Sequence, residues 1–173
     1  MLDKIYKTEA LLPFLKEECC ENEVCISFDA GINKEDYVVI KVDEYYNGLK
    51  LAKTPPSPDC LIIRKCEYSG YGLTIVELKN IQKSKRFDLD NMISKFNACI
   101  NDFIMIRFKD LLFKDYADIK LYFVSKINSY DNDRDLGLKL ETLIETKFHY
   151  NGKKHMIRAT MPNPTIKKCY QTP

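Results

Sequence analysis

The chain has 173 residues, 45% of them apolar and 30% charged, with a formal net charge of +2. That length suits one hydrophobic core, read here as a single domain over residues 1–173. No apolar run reaches the eighteen or more residues of a membrane span, and the first residues lack the basic, apolar and small-residue order of a signal peptide, so a soluble cytoplasmic protein with no membrane partner is expected.

The charge is unevenly spread. Residues 1–45 hold eleven acids and five bases, a balance of −6, whereas residues 146–173 hold six bases and no acid. A basic end of this kind is suited to a polyanion. Seven cysteines, an odd number in a chain this long, are expected as reduced, small buried hydrophobes rather than a disulfide framework. Cys19, Cys20 and Cys25 cluster, but no CxxC pair accompanies them and the only histidines are His149 and His155, which speaks against zinc or an iron–sulfur group.

Residues 5–20 have helical apolar spacing (Ile5, Leu11, Leu12, Leu15), with Pro13 placed to break or restart the helix. Residues 24–30 and 37–46 are rich in β-branched and aromatic side chains and flank the turn-forming GINKED, which predicts a hairpin. The prolines of KLAKTPPSP interrupt regular structure, and residues 60–67 and 73–79 form two further strands across YSGYG, completing a four-stranded antiparallel meander. Residues 88–112 carry apolar side chains at three- and four-residue spacing and predict the longest helix. A strand at 118–126 then implies a mixed sheet with a helical crossover. A short helix over 136–143 follows, and Asn151-Gly152 marks a terminal hairpin.

Charged residues flank the two central strands. Asp59 precedes one, and Glu77 and Lys79 close the other. Antiparallel pairing brings these ends together, with Glu77 and Lys79 on one face and Leu78 between them leaving its carbonyl near the site. Asp59, Glu77 and that carbonyl suit a hard divalent cation, Mg²⁺ or its substitute Mn²⁺, and Lys79 suits the anion of a phosphodiester.

The residues Pro58-Asp59 and Glu77-Leu78-Lys79 resemble the PD-(D/E)XK phosphodiesterase signature. The order of elements over residues 5–126 is similar too: acidic helix, β-meander, long helix, further strand. The resemblance implies a restriction-endonuclease-like α/β (α+β) core, a mixed central sheet flanked by helices, here with a C-terminal β-hairpin. It also implies a Mg²⁺-dependent endonuclease in which Asp59 and Glu77 bind metal and Lys79 is the catalytic lysine. Some members add a glutamate from the first helix. Glu9, Glu17 and Glu18 compete for that role, and Glu17 is favoured because it lies on the helical piece nearer the first strand; a solvated helix face is the other reading of each. Gln82 falls close to where certain branches place a glutamine, although its spacing after the lysine is short.

Lys83, Lys85 and Arg86 follow the motif with no intervening acid, and Lys153, Lys154, His155 and Arg158 lie on the terminal hairpin, which gives two candidate surfaces for nucleic acid. Tyrosines such as Tyr45, Tyr46, Tyr68, Tyr71 and Tyr130 are candidates for base stacking, with packing as the other reading. The expected substrate is duplex or branched DNA ahead of RNA, and the expected enzyme a small type II restriction endonuclease acting as a homodimer, because symmetric duplex cleavage needs two sites. A non-catalytic nucleic-acid-binding or protein-interaction module on the same fold is the alternative.

Overall fold

A computed structural model describes residues 1–21, 23–79, 87–126, 133–160 and 162–170. Its centre is a seven-stranded mixed sheet. In chain order the strands and helices that build it and flank it are α1 (Leu2–Tyr6), β1 (Leu15–Lys16), β2 (Cys20–Glu21), β3 (Val24–Cys25), β4 (Ser27–Phe28), β5 (Tyr37–Lys41) and α2 (Val42–Gly48). Then come β6 (Cys60–Lys65), β7 (Tyr71–Leu78), α3 (Leu89–Ala98), α4 (Lys109–Leu112), β8 (Asp118–Val124), α5 (Arg134–Glu145), β9 (Lys147–Tyr150), β10 (Lys153–Thr160) and β11 (Thr165–Ile166). The large sheet runs β1-β5-β6-β7-β8-β10-β9; β2 pairs with β3 and β4 with β11 in two small ladders.

The β5–β6–β7 portion is an antiparallel meander, and β8 joins β7 in parallel after the helical crossover. Strand alternation then sorts the side chains into two cores. Val38 and Ile40, Leu61 and Ile63, Leu73 and Ile75, Leu121 and Phe123 face the helices, where Met92, Phe96, Phe103, Leu136 and Leu140 cover them. Tyr37 and Val39, Cys60 and Ile62, Val76 and Leu78, Tyr122 and Val124 face the other way, against Cys19, Val24, Ile26 and Ile166. Each fully buried Leu, Ile or Phe in these layers contributes roughly 1.5–3 kcal/mol. With both faces covered, the central strands are continuous apolar runs rather than alternating ones.

The predicted helix over residues 88–112 is helical throughout its core but not uniformly α. Asp88 caps α3 by accepting from the Asn91 amide at 3.0 Å. Residues Cys99–Arg107 continue in wider π-helical turns, and α4 ends the segment. At the C-terminus, Asn151 and Gly152 adopt φ of 47° and 75°, the left-handed pair that a two-residue hairpin needs, and β10 pairs with β9 across them.

Four expectations from the sequence are corrected. Residues 7–20 are not α-helical: α1 ends at Tyr6, Pro13 sits inside a 3₁₀ turn at Leu12–Phe14, and the chain then turns extended. Residues 24–30 do not pair with residues 37–46; β4 pairs with β11, while β5 lies between β1 and β6. The strand stops at Lys41, since Asp43 and Glu44 favour a helix start and Tyr45 and Tyr46 bury on α2. Six of the seven cysteines pair, Cys19–Cys60, Cys20–Cys25 and Cys66–Cys169, leaving Cys99 free and buried. Chain topology brings these partners within reach although up to 103 residues separate them. No helix among the described residues is long and apolar enough to cross a membrane.

Candidate functional site

The β6–β7 register fixes the geometry. Cys60 lies opposite Val76, so one step further Asp59 comes opposite Glu77. The Leu78 amide donates to Asp59 Oδ2 at 2.5 Å, and the Val42 amide donates to the Asp59 carbonyl at 3.1 Å. These bonds hold Asp59 rigidly although it precedes the strand. Glu77 has the same parity as Leu73 and Ile75 and therefore points to the helix side, where Lys95 of α3 donates to its Oε1 at 2.6 Å. The other carboxylate oxygen, Oε2, is buried without a hydrogen-bond partner among the described residues. Lys79 follows on the same parity, its backbone amide tied to the Val124 carbonyl at 2.9 Å, so its position is set by β8.

Glu21, Asp43, Asp59, Glu77, Leu78, Lys79 and Lys95 together line an open pocket of about 400 Å³. Four carboxylates against two ammonium groups leave it acidic. Burial is deep at its floor: Asp59 is 5% exposed and Glu77 1%. Desolvation, with the nearby Glu77 charge behind it, pushes the Asp59 carboxyl up to about 8. Desolvation likewise holds Glu77 above the usual carboxylate range, partly offset by Lys95 and Lys79. Burial also raises Asp43, whose Oδ1 is 3.8 Å from the Lys41 ammonium. A buried, mutually repelling carboxylate pair is a costly arrangement for a fold alone, and such clusters mark candidate functional sites.

A divalent cation fits this floor. Glu77 Oε2 offers a buried lone pair with no competing donor, Asp59 lies across from it, and all the donors are hard oxygens. Among the described residues no three His, Cys, Asp or Glu side chains converge closely enough to hold a metal by themselves.

Of the residues singled out from the sequence, Asp59, Glu77, Leu78 and Lys79 share this pocket. Glu17 does not: it is exposed, lies outside any helix, and pairs with Lys34 at 2.7 Å, which holds its carboxyl below the usual range. The third acid at the pocket is instead Glu21 on β2. The disulfide from Cys19 to Cys60 ties the chain just before β2 to the residue following Asp59, and the Cys20–Cys25 bond closes the β2–β3 ladder. The chain from Cys19 to Glu21 is thereby clamped beside the start of β6.

Lys153, Lys154 and His155 are not brought to the pocket. β10 runs parallel to β8, and Thr160 is level with Val124 at the pocket end of the sheet. Lys153 therefore lies seven residues back, roughly 23 Å along the strand at about 3.3 Å per residue. Its ammonium is 3.8 Å from Asp115 at the opposite end. Arg158 is level with Tyr122, nearer in height but two strands from β7. Lys83, Lys85 and Arg86, together with Gln82 and Tyr130, lie outside the described residues. Tyr45, Tyr46 and Tyr71 are packing residues: Tyr45 meets Phe103 edge-to-face and Tyr46 meets it at a tilt, and Tyr71 accepts from the N-terminal ammonium at 3.1 Å.

The sequence signals for the remaining pocket residues are uneven. Lys95 is three residues after Met92 and four before Cys99, so it occupies the apolar stripe of α3, an unusual phase for a lysine. Glu21 and Asp43 carry no such signal, since each depends on pairing that is not local. No family model matches the chain, and neither does any curated protein or solved structure.

Proposed function

We propose that the protein is a metal-dependent endonuclease of the PD-(D/E)XK kind, hydrolysing phosphodiester bonds of DNA. The observation that carries this reading is the pair of buried carboxylates, Asp59 and Glu77, lining one acidic pocket with Lys79, the Glu77 Oε2 having no partner among the described residues. An acidic pocket repels phosphate on its own. It becomes a phosphate site once a cation occupies it, and a bound Mg²⁺ would supply Lewis-acid polarisation and a water of lowered pKa.

The chain's own groups then have distinct tasks. Asp59, braced by the Leu78 amide, and Glu77 would hold the cation, with the Leu78 carbonyl as a third oxygen and Glu21 beside them in the pocket lining. Lys79 keeps its ammonium beside these carboxylates, where it orients the attacking water or offsets charge that builds on the phosphoryl oxygens. The topology around these residues, an antiparallel meander followed by a helical crossover to a parallel strand, supports the resemblance seen in the motif. A homodimer would supply the two sites that a double-strand cut requires, as in a small type II restriction endonuclease.

The test is a panel of supercoiled plasmid, single-stranded DNA and RNA, incubated with protein in Mg²⁺ and in chelator. Discrete linear products from plasmid, absent in chelator, support a sequence-specific endonuclease, and nicked circles alone support a nickase or junction resolvase. Salt-sensitive binding that survives chelator without any cleavage would replace the enzyme with a non-catalytic nucleic-acid-binding module.

A further inference from the structure

Asp59, Glu77 and Lys79 account for a metal-dependent phosphodiesterase, yet the closest charged contact in the pocket belongs to Lys95. Its ammonium is 2.6 Å from Glu77 Oε1, and its side chain is only 19% exposed, against 1% for Glu77. The residue sits on the apolar stripe of α3, between Met92 and Cys99, both fully buried. A lysine stem can lie along such a surface, but its ammonium is strongly hydrated and does not enter a closed interior without a partner.

The pairing uses only one of the two Glu77 oxygens. Oε2 stays buried and has no partner among the described residues, although an ammonium carries three donors and can serve more than one acceptor. An orphaned buried acceptor carries a desolvation penalty, so a salt bridge serving stability alone gains by satisfying both oxygens. Here the second oxygen is left for another positive charge. A divalent cation on Oε2 would share a single carboxylate with the Lys95 ammonium, in a setting where like charges are poorly screened.

We propose that Lys95 is a built-in counter-ion of the ion-free site, holding Glu77 in its binding orientation until a divalent cation takes the carboxylate and displaces the ammonium. The inference rests on the metal-binding reading above and adds a positioning residue to it. In this role Lys95 keeps two repelling carboxylates from drifting apart in the empty pocket, and it sets a threshold: the cation must compete with an internal one. The displaced ammonium remains in the pocket, where Lys79 is the only other cationic side chain among the lining residues described.

The experiment follows the Lys95 ammonium by nitrogen-15 NMR in the full-length wild-type protein, with calorimetry of MgCl₂ binding on the same sample and KCl at matched ionic strength as control. The Lys95 Nζ signal is assigned by its scalar coupling across the hydrogen bond to the Glu77 carboxylate carbon, and by its loss in Lys95→Arg; the coupling suffices if that variant does not fold. The expected result is loss of the coupling and a shift of the Nζ signal that saturates with the calorimetric Kd, with no change in KCl. Mg²⁺ binding by calorimetry with the coupling intact would overturn the displacement and leave the metal site standing. Absence of both heat and shift would overturn the metal reading, and this inference with it.

Discussion

Replacing Asp59 by Asn should make the ion-free protein more stable at alkaline pH while abolishing its proposed chemistry. Asp59 accepts from the Leu78 amide at 2.5 Å, a bond that the Asn carbonyl oxygen can keep, and it is 5% exposed, so the exchange removes charge with little change of shape. Its carboxyl is pushed from the ordinary 3.8 up to about 8 by burial and the Glu77 charge. The folded-state pKa is raised, so the stability linked to this proton is fully present below about pH 4 and is lost as pH rises toward 8. Each pH unit in that window costs the wild type up to ~1.4 kcal/mol, or ~4 kcal/mol between pH 5 and pH 8. Because the pocket opens to water, the expected gain of Asp59→Asn over wild type grows by about 2–4 kcal/mol across that interval. Urea unfolding of both proteins in chelator at pH 5, 6, 7 and 8 measures it. A stability difference that stays constant with pH, or one that favours wild type at pH 8, would refute a destabilising buried charge at this position.

Thiol titration of the unfolded, unreduced protein should find one reactive group, Cys99, and a count near seven would exclude the three disulfides. Reduction should destabilise the fold, the 41-residue Cys19–Cys60 link alone accounting for about 4 kcal/mol in the chain-entropy treatment. Gly72→Ala should cost about 2 kcal/mol, because a Cβ there would lie 2.7 Å from Cζ of the buried Arg64, which is held by Thr74 and Asp118; an unchanged melting temperature would contradict that packing. The paired substitutions Lys153→Ala and Lys154→Ala should leave cleavage of a short duplex within about twofold of wild type, since the hairpin tip lies roughly 23 Å from the carboxylates along β10. A loss of tenfold or more on that duplex would mean that the hairpin reaches the cut site.

Much of the central sheet is legible in the sequence because local rules and the tertiary structure agree there. Leu73, Ile75, Val76 and Leu78 form a run covered on both faces, YSGYG lies where β6 turns into β7, and the Cys66 amide bonds back to the Gly70 carbonyl at 3.1 Å. Asn151-Gly152 likewise states its own turn. The region from residue 15 to residue 28 is not legible in this way. Its strands are two residues long, and their partners are set by Cys60, by Cys25 and by Thr165–Ile166, the last about 140 residues away in the chain. Helical spacing over residues 5–20 was therefore a local pattern that long-range pairing overrides. The same cause separates the acids: Asp59 and Glu77 follow from one hairpin register, whereas Glu21 needs a disulfide to reach the pocket and Glu17, earlier in the chain, pairs with Lys34 in solvent.

The most direct test of the central claim compares wild type with Lys79→Ala in two assays, duplex binding in Ca²⁺ and plasmid cleavage in Mg²⁺. Lys79 is anchored through its backbone to Val124, so its side chain can be removed without disturbing the strand. The account predicts duplex affinity within a few-fold of wild type and a loss of cleavage of at least a hundredfold, on the order of the contribution of one electrostatic group to a transition state. Cleavage by Lys79→Ala at the wild-type rate would contradict it.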